Sequence, residues 1–181
     1  MKPTVPQALL LVDGYNIVGA WHELKRLRDR QGLEEARRRL VELLTGFAAY
    51  NAFATQVIFD AQYRESPSNQ EVITHFLSIH YTEHGQTADT YIEKTCADFR
   101  HDLRKFYQRL IVATSDRAQQ LTVVGYGAEV LSAEQLAQDV DFATSRVSAR
   151  QKTKKKSSGR FLNSALDPET QAKLDRLRYG K

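Results

Sequence analysis

At 181 residues, 41% of them apolar, with a single cysteine and a formal charge of +4, the chain has the profile of one globular domain with a substantial core. It contains no run of 18 apolar residues, and Met1-Lys2-Pro3-Thr4-Val5-Pro6 has no apolar stretch followed by a small-residue cleavage site, so neither a membrane span nor a secretory signal is expected and a cytoplasmic location is. The charge is unevenly spread. No acid stands between Phe142 and Leu166, where Arg146, Arg150, Lys152, Lys154, Lys155, Lys156 and Arg160 supply seven positive charges; removing seven from +4 leaves about −3 for the rest. A slightly acidic body with a basic strap suggests a polyanionic partner.

In chain order, Ala8 to Val12 reads as a first buried strand, closed off by Asp13, Gly14, Tyr15 and Asn16. After a short segment of mixed signals around Trp21, the apolar residues Leu33, Ala36, Leu40, Leu43, Leu44 and Phe47 recur at helical spacing, predicting a long helix to about Tyr50. Within it Glu34 and Glu35 precede Arg38 and Arg39 by four residues, so the Arg37-Arg38-Arg39 run reads as a solvated, locally paired face. Thr55 to Phe59 is a second strand ended by Asp60, and Tyr63 to Gln70 is a loop. A third strand falls within Phe76 to Thr82; His75, His80 and His84 share no single face of it, which argues against zinc.

Thr87 is placed as a helix N-cap, with Asp89 in the first turn, Glu93 one turn on, and Ile92, Cys96, Phe99 and Leu103 facing inward. In that setting Cys96 reads as a packed thiol. Leu110 to Thr114 is a fourth strand ended by Ser115-Asp116, a short helix through Leu121 closes near Gly125, and Ala128 to Leu131 is a fifth strand. Ser132-Ala133-Glu134-Gln135 is a capping box opening a helix through Leu136, Val140 and Val147. Gln151 to Gly159 is too polar to pack, and Asp167-Pro168-Glu169 starts a final short helix. Alternating strands and helices predict an α/β fold in three layers, a parallel sheet of about five strands covered on both faces. The domain is expected over residues 1–147, with a basic linker and C-terminal helix over 148–181.

The acids gain meaning from this pattern. Asp13, Asp60 and Asp116 each end a strand and Asp89 opens the helix after one, so all four reach the carboxyl rim where ligands of open parallel sheets bind. Any one aspartate there is as readily a helix cap as a ligand. Four together repel, by roughly 4 kcal/mol per pair at about 4 Å and an effective dielectric near 20, and therefore call for a cation or protons. An all-oxygen set favours Mg²⁺ or Mn²⁺ over zinc, and such a cation favours phosphate chemistry. A phosphatase using a strand-ending nucleophilic Asp wants a second Asp two residues on, where Tyr15 stands, and Gly125-Tyr126-Gly127 precedes a strand rather than opening a helix, which excludes a dinucleotide fingerprint; no organic cofactor is expected.

Leu11-Val12-Asp13-Gly14-Tyr15-Asn16, Phe59-Asp60-Ala61, Thr87-Ala88-Asp89 with Ile92-Glu93, and Ala113-Thr114-Ser115-Asp116-Arg117 resemble, in order, the motifs of the YacP-like branch of the NYN domain, a member of the PIN-like nucleases. The resemblance covers residues 8 to 141, and the Phe161-Leu162-Asn163 to Arg178 tail is similar to that branch as well. It implies a PIN-like fold, acidic metal-binding positions at Asp13, Asp60, Asp89 and Asp116, and an amide at Asn16 beside the first acid. Some bacterial relatives are ribosome-associated endoribonucleases that cut mRNA, so the resemblance implies metal-dependent RNA hydrolysis with RNA and the ribosome as partners. A binding module of the same fold that docks RNA or ribosome without cutting is the alternative.

On chemistry, Asp13, Asp89 and Asp116 are the expected metal ligands, with Asp60 acting directly or through water. Glu93 is either an outer acid of the site or a solvated helix residue. Asn16 either bonds a carboxylate or phosphate or makes an Asx turn. Thr114 and Ser115 orient Asp116, or Ser115 caps the helix. Arg117 either holds a phosphate or is an ordinary surface arginine. Arg150, Lys152, Lys154, Lys155, Lys156 and Arg160 are expected to contact RNA, with a salt slope of roughly −3.5 to −5 if five to seven phosphates of a single strand are neutralised. Tyr15, Trp21 and Tyr63 are candidates for base stacking or for the core.

Overall fold

The computed structural model describes residues 5–60 and 70–164, with residues 151–164 as backbone alone. Its elements run β1 Ala8–Asp13, α1 Gly14–Ala20, α2 His22–Gln31, α3 Leu33–Asn51, β2 Phe53–Phe59, β3 Gln70–Val72, β4 Leu77–Tyr81, α4 Ala88–Phe99, a 3₁₀ turn Leu103–Phe106, β5 Arg109–Ala113, α5 Arg117–Gly125, β6 Glu129–Leu131 and α6 Ala133–Ser164. The strands form one sheet in the order β3-β4-β2-β1-β5-β6, parallel except for β3, which runs antiparallel to β4.

The apolar run of β1 is explained by its central place. Leu10 and Val12 point into a core built with Ile17, Leu24, Leu40 and Leu44 from α1, α2 and α3 and with Leu136 and Val140 from α6. Leu11 points the other way, into a second core with Ile92, Cys96 and Phe99 of α4 and Val123 of α5. A strand covered on both faces has no solvent side to make polar, so alternation disappears from its sequence. The result is the expected three-layer α/β arrangement.

Several details depart from the sequence reading. Three strand residues, Gln70, Glu71 and Val72, are all exposed, so β3 had no apolar pattern to betray it and the sheet has six strands. The Trp21 region is two helices meeting at that residue, and α2 buries only Leu24, too little to give a helical stripe. Helix α6 runs through the expected linker to Ser164; Lys, Arg and Gln, frequent in that stretch, are good helix formers. The helix expected from Asp167 and the loop residue Tyr63 lie outside the described residues. Two compact units are distinguished, Met1–Ala143 and Thr144–Lys181.

The chain passes from β1 to β2 on one side, then returns across β1 to β5 on the other. The switch point therefore lies between β1 and β5, and the carboxyl rim beside it is where an open sheet forms its crevice. Val12 stands opposite Ala113 and Asp13 opposite Ile58, so Asp13, Asp60 and the Thr114-Ser115-Asp116 turn all leave the sheet at one edge.

Candidate functional site

Asp13 is the last residue of β1 and the N-cap of α1, its Oδ1 accepting the Asn16 backbone N–H at 3.1 Å. The helix starts here because Gly14 leaves room: a Cβ at that position would lie 2.3 Å from the Phe59 ring and 2.8 Å from the Ile58 carbonyl oxygen. Only glycine lets β2 pack this closely against the β1–α1 turn. Asp13 is 7% exposed. Burial raises its carboxyl to about 6, opposed by the Asn16 N–H and assisted by the charges of Asp89, Asp60 and Asp116. The four acids that the sequence placed on one rim thus act on one another electrostatically.

The other three are each built into a helix start. Asp60, just past β2, accepts the Ala88 N–H in a short hydrogen bond, tying the sheet rim to α4. Thr87 caps α4 as expected, accepting from Thr90 N, and sets Asp89 in the first turn. Burial, then Asp116, Asp60 and Glu93 raise the Asp89 carboxyl above its ordinary value. Glu93, one turn on and half-buried, thus reaches the site through its field. Asp116 caps α5, its Oδ1 accepting Ala118 N at 2.8 Å and Gln119 N at 3.0 Å. In every case a single oxygen, Oδ1, is used, and among the described residues the four Oδ2 atoms accept no hydrogen bond.

Asn16 carries a contact that the sequence reading did not include. Its Oδ1 accepts the Ser115 N–H at 2.8 Å, so the side chain pins the β5–α5 turn to the β1–α1 turn across the switch point. Ser115 extends the same stitch, its Oγ accepting Ala133 N at 3.2 Å at the start of α6. Thr114, fully buried, orients Asp116 by accepting its N–H at 3.1 Å. Arg117 is exposed and has no carboxylate partner among the described residues.

Two site residues were missed in the sequence. Gln119 is 3% exposed and donates from Nε2 to Asp89 Oδ1 at 2.6 Å, while its Oε1 is buried without a partner. Because its own N–H also goes to Asp116, this one residue joins the two acids. Asp116-Arg117-Ala118-Gln119 has the spacing of a capping box, but the Asp116 N–H that the box would use is already taken by Thr114, which leaves the Gln119 amide for Asp89.

The second is Arg37, which is 7% exposed, not on a solvated face. Its guanidinium lies 5.8 Å from the Phe59 ring centre and 5.9 Å from that of Tyr81, donates to the Tyr15 hydroxyl at 3.1 Å and pairs with Glu34. The ion pairs of this helix use a spacing of three: Glu34 with Arg37 and Glu35 with Arg38, while Arg39 reaches Glu23 and Glu42. Burial raises the Tyr15 hydroxyl even though Arg37 opposes it.

Trp21 is a core residue donating Nε1–H to the Ala133 carbonyl at 2.7 Å, so it is no stacking platform. Cys96 is fully buried, with its thiol pushed up to about 12 by burial, as a packed side chain. A small cleft of about 150 Å³ adjoins Asp60 and Thr87, and a larger groove of about 660 Å³ lies away from the acids, along Phe99, Phe106 and Arg109.

The donor set suits a hard divalent cation: carboxylates only, mutually repelling, each with an oxygen to spare. Among the described residues no three His, Cys, Asp or Glu side chains stand close enough to grip one ion as they lie.

The six-stranded, mostly parallel sheet flanked by helices is a PIN-like fold. Residues 10–179 match the YacP-like NYN domain family, and the chain belongs to that family. It is 32% identical over 174 residues to the Uncharacterized protein YacP of Bacillus subtilis (strain 168), a match spanning 95% of this chain and 97% of that protein. The crystal structure of Rae1 (YacP) from Bacillus subtilis superimposes with a TM-score of 0.65 at 30% identity, over 95% of both chains. The crystal structure of a point mutant of the same Bacillus subtilis protein gives 0.67 at 30% identity, over 88% of this chain and 85% of that one. Membership gives the chain a nuclease-like, RNA-related role in a class that typically uses divalent metal ions. No helix among the described residues is long and apolar enough to cross a membrane.

Proposed function

We propose that the chain is a metal-dependent endoribonuclease that hydrolyses RNA phosphodiester bonds, acting on mRNA at the ribosome in the cytoplasm. The observation that carries this reading is the gathering of Asp13, Asp60, Asp89 and Asp116 at one carboxyl rim, where burial first, and then the charges of Asp89, Asp60 and Asp116, raise the Asp13 carboxyl to about 6. A site that concentrates unneutralised carboxylates at a switch point is built for a cation, and perturbed acids in such a place mark function more often than structure. Asp13, Asp89 and Asp116 would hold Mg²⁺ or Mn²⁺. Bound, such an ion neutralises phosphate oxygens and lowers the pKa of water.

The protein's own groups have separate tasks in this reading. Asp60 fixes α4, and with it Asp89, through the Ala88 N–H. Asn16 and Ser115 hold the β1–α1 and β5–α5 turns in register, so that Asp13 and Asp116 face the same phosphate. Gln119 sets the distance between Asp89 and Asp116. Glu93 adds negative field behind Asp89, and the exposed Arg117 supplies a phosphate contact. Residues 1–147 form the nuclease domain in this reading, and residues 148–181 carry RNA contacts at Arg150, Lys152, Lys154, Lys155, Lys156 and Arg160.

One observation favours the second reading, a module that binds RNA or the ribosome without cutting: the carboxylates are all engaged as caps or acceptors, and among the described residues no three converge on one point. Incubating RNA, with and without ribosomes, with wild type and Asp13→Asn in Mg²⁺ and in EDTA separates the two. Cleavage by wild type in Mg²⁺ alone is expected; equal cleavage by both proteins would refute the catalytic reading, and tight binding without cleavage would establish the module.

A further inference from the structure

The acids occupy one end of the sheet, and the opposite end carries a surface that the nuclease reading does not use. Between α4 and β5 the chain Arg100-His101-Asp102-Leu103-Arg104-Lys105-Phe106-Tyr107-Gln108-Arg109 holds four cations against one acid, a net +3 with histidine neutral. Leu103, Phe106 and Tyr107 are 75%, 76% and 62% exposed, an unusual concentration of bare apolar side chains on the 3₁₀ turn and the residue after it. Phe106 and Tyr107 open onto the groove of about 660 Å³.

The cations there differ in what they are free to do. Arg104 is tied to Asp102 at 2.8 Å and Arg109 to Glu129 at 2.5 Å. Arg100 is exposed and has no carboxylate partner among the described residues. Lys105 likewise lacks one; its Nζ donates to the Arg100 carbonyl at 2.9 Å and stands 5.1 Å from the Phe106 ring centre. In the floor of the groove Gln108, 8% exposed, donates Nε2–H to the Pro6 carbonyl at 3.3 Å, and its Oε1 is buried with no partner.

From these features we infer that this groove is a second contact for single-stranded RNA, with unpaired bases stacking on Phe106 and Tyr107 and phosphates held by Arg100 and Lys105. Exposed aromatics interleaved with unpaired cations are what a single strand requires, because every base offers a π-face and every link a charge. A protein partner would leave these two cations, which lack a carboxylate among the described residues, without a purpose unless it were acidic. The inference rests on the RNA reading of the family. Arg109 pairs with Ala8 at the start of β1 and Asp13 ends that strand, so the two surfaces lie roughly 16 Å apart along the sheet at about 3.3 Å per residue. RNA held at the groove would continue to the acids over a few nucleotides, which would make this surface a determinant of where along a strand the rim acts.

The test uses the full chain in EDTA and an end-labelled single-stranded oligoribonucleotide, read by fluorescence anisotropy over a range of salt. Phe106→Ala with Tyr107→Ala is expected to weaken binding by about thirtyfold or more, the loss of two stacked bases. Arg100→Ala with Lys105→Ala is expected to flatten the log–log salt slope by about 1.4, two phosphates of a single strand. All four side chains are exposed, so unchanged thermal melts are expected and show that the fold is intact. A thiouridine-bearing strand should photo-crosslink to the peptide containing Phe106 and Tyr107. If wild type binds and both double variants bind as tightly with the same slope, the surface is refuted while the nuclease reading stands. Wild type that neither binds nor cleaves refutes both, and wild type that binds through this groove without cleaving in Mg²⁺ supports the surface and overturns the catalytic reading.

Discussion

Replacing Asp13 by Asn should stabilise the metal-free protein, most of all above pH 6. The Asp13 carboxyl is raised from 3.8 to about 6 in the folded chain, by burial first and then by Asp89, Asp60 and Asp116. Between those two values the folded state holds a proton that the unfolded state has released, so stability falls as pH rises through this window. Each pH unit is worth about 1.4 kcal/mol, and ionised Asp13 therefore costs the fold about 3 kcal/mol above pH 6. Asparagine removes the charge but keeps the cap, because its side-chain oxygen can still accept the Asn16 N–H at 3.1 Å. The expected result is a melting temperature at pH 7.5 in EDTA that is roughly 6–12 °C above wild type, at about 2–4 °C per kcal/mol for a chain of this size. The gain should shrink below pH 6 and vanish near pH 4. Calorimetric melts of both proteins across this range, repeated with Mn²⁺, give the answer. A variant no more stable than wild type at pH 7.5 would show that Asp13 carries no such buried charge.

Two other substitutions probe the frame around it. Gln119→Ala removes the donor at 2.6 Å from Asp89 and should weaken Mn²⁺ binding, measured by titration calorimetry, by about tenfold to a hundredfold, as loss of a ligand's supporting hydrogen bond does; affinity equal to wild type would show that Asp89 needs no such support. Gly14→Ala puts a methyl group 2.3 Å from the Phe59 ring and 2.8 Å from the Ile58 carbonyl and should cost about 1–3 kcal/mol of stability in urea unfolding, whereas an unchanged midpoint would mean that β2 can draw back from the turn freely.

What could be read from the sequence depended on where the information lies along the chain. Strand β1, the acids after β1, β2 and β5, and the Thr87 and Ser132 caps were legible because each is a local pattern: an apolar run ending in a carboxylate, or a cap residue at a fixed offset. The Ser132 box is observed complete, with Gln135 N donating to Ser132 Oγ at 3.2 Å and Ser132 N to Gln135 Oε1 at 3.1 Å. Arg37 was legible too, although charge concealed it. It lies four residues after Leu33 and three before Leu40, on the stripe that α3 buries, and its place in the run of three arginines drew it into the wrong pattern. The contact of Asn16 with Ser115 joins residues 99 apart in sequence, and that of Gln119 with Asp89 joins residues 30 apart. No local pattern announces either. Strand β3 left no trace because an exposed edge of three residues buries nothing.

The arrangement of the rim explains why so many hydrogen bonds are spent on helix starts there. Four carboxylates gathered without cations push the turns that carry them apart, and a protein that must remain folded before its cation or RNA arrives has to resist that push from within. Each Oδ1 is therefore committed to a backbone or amide N–H, and at Asp13 the Asn16 N–H favours the charged form against burial. Asn16, Ser115 and Ala133 then lock the turns after three neighbouring strands, β1, β5 and β6, into one piece. The repulsion that remains at Asp13 is the part left for a ligand to relieve. Anything that neutralises the rim must bind the folded chain better than the unfolded one, and its affinity and its stabilisation of the fold rise together. A cation at these acids should therefore raise the melting temperature of wild type more than that of Asp13→Asn, and the difference between the two is the share of binding that the buried carboxylate provides.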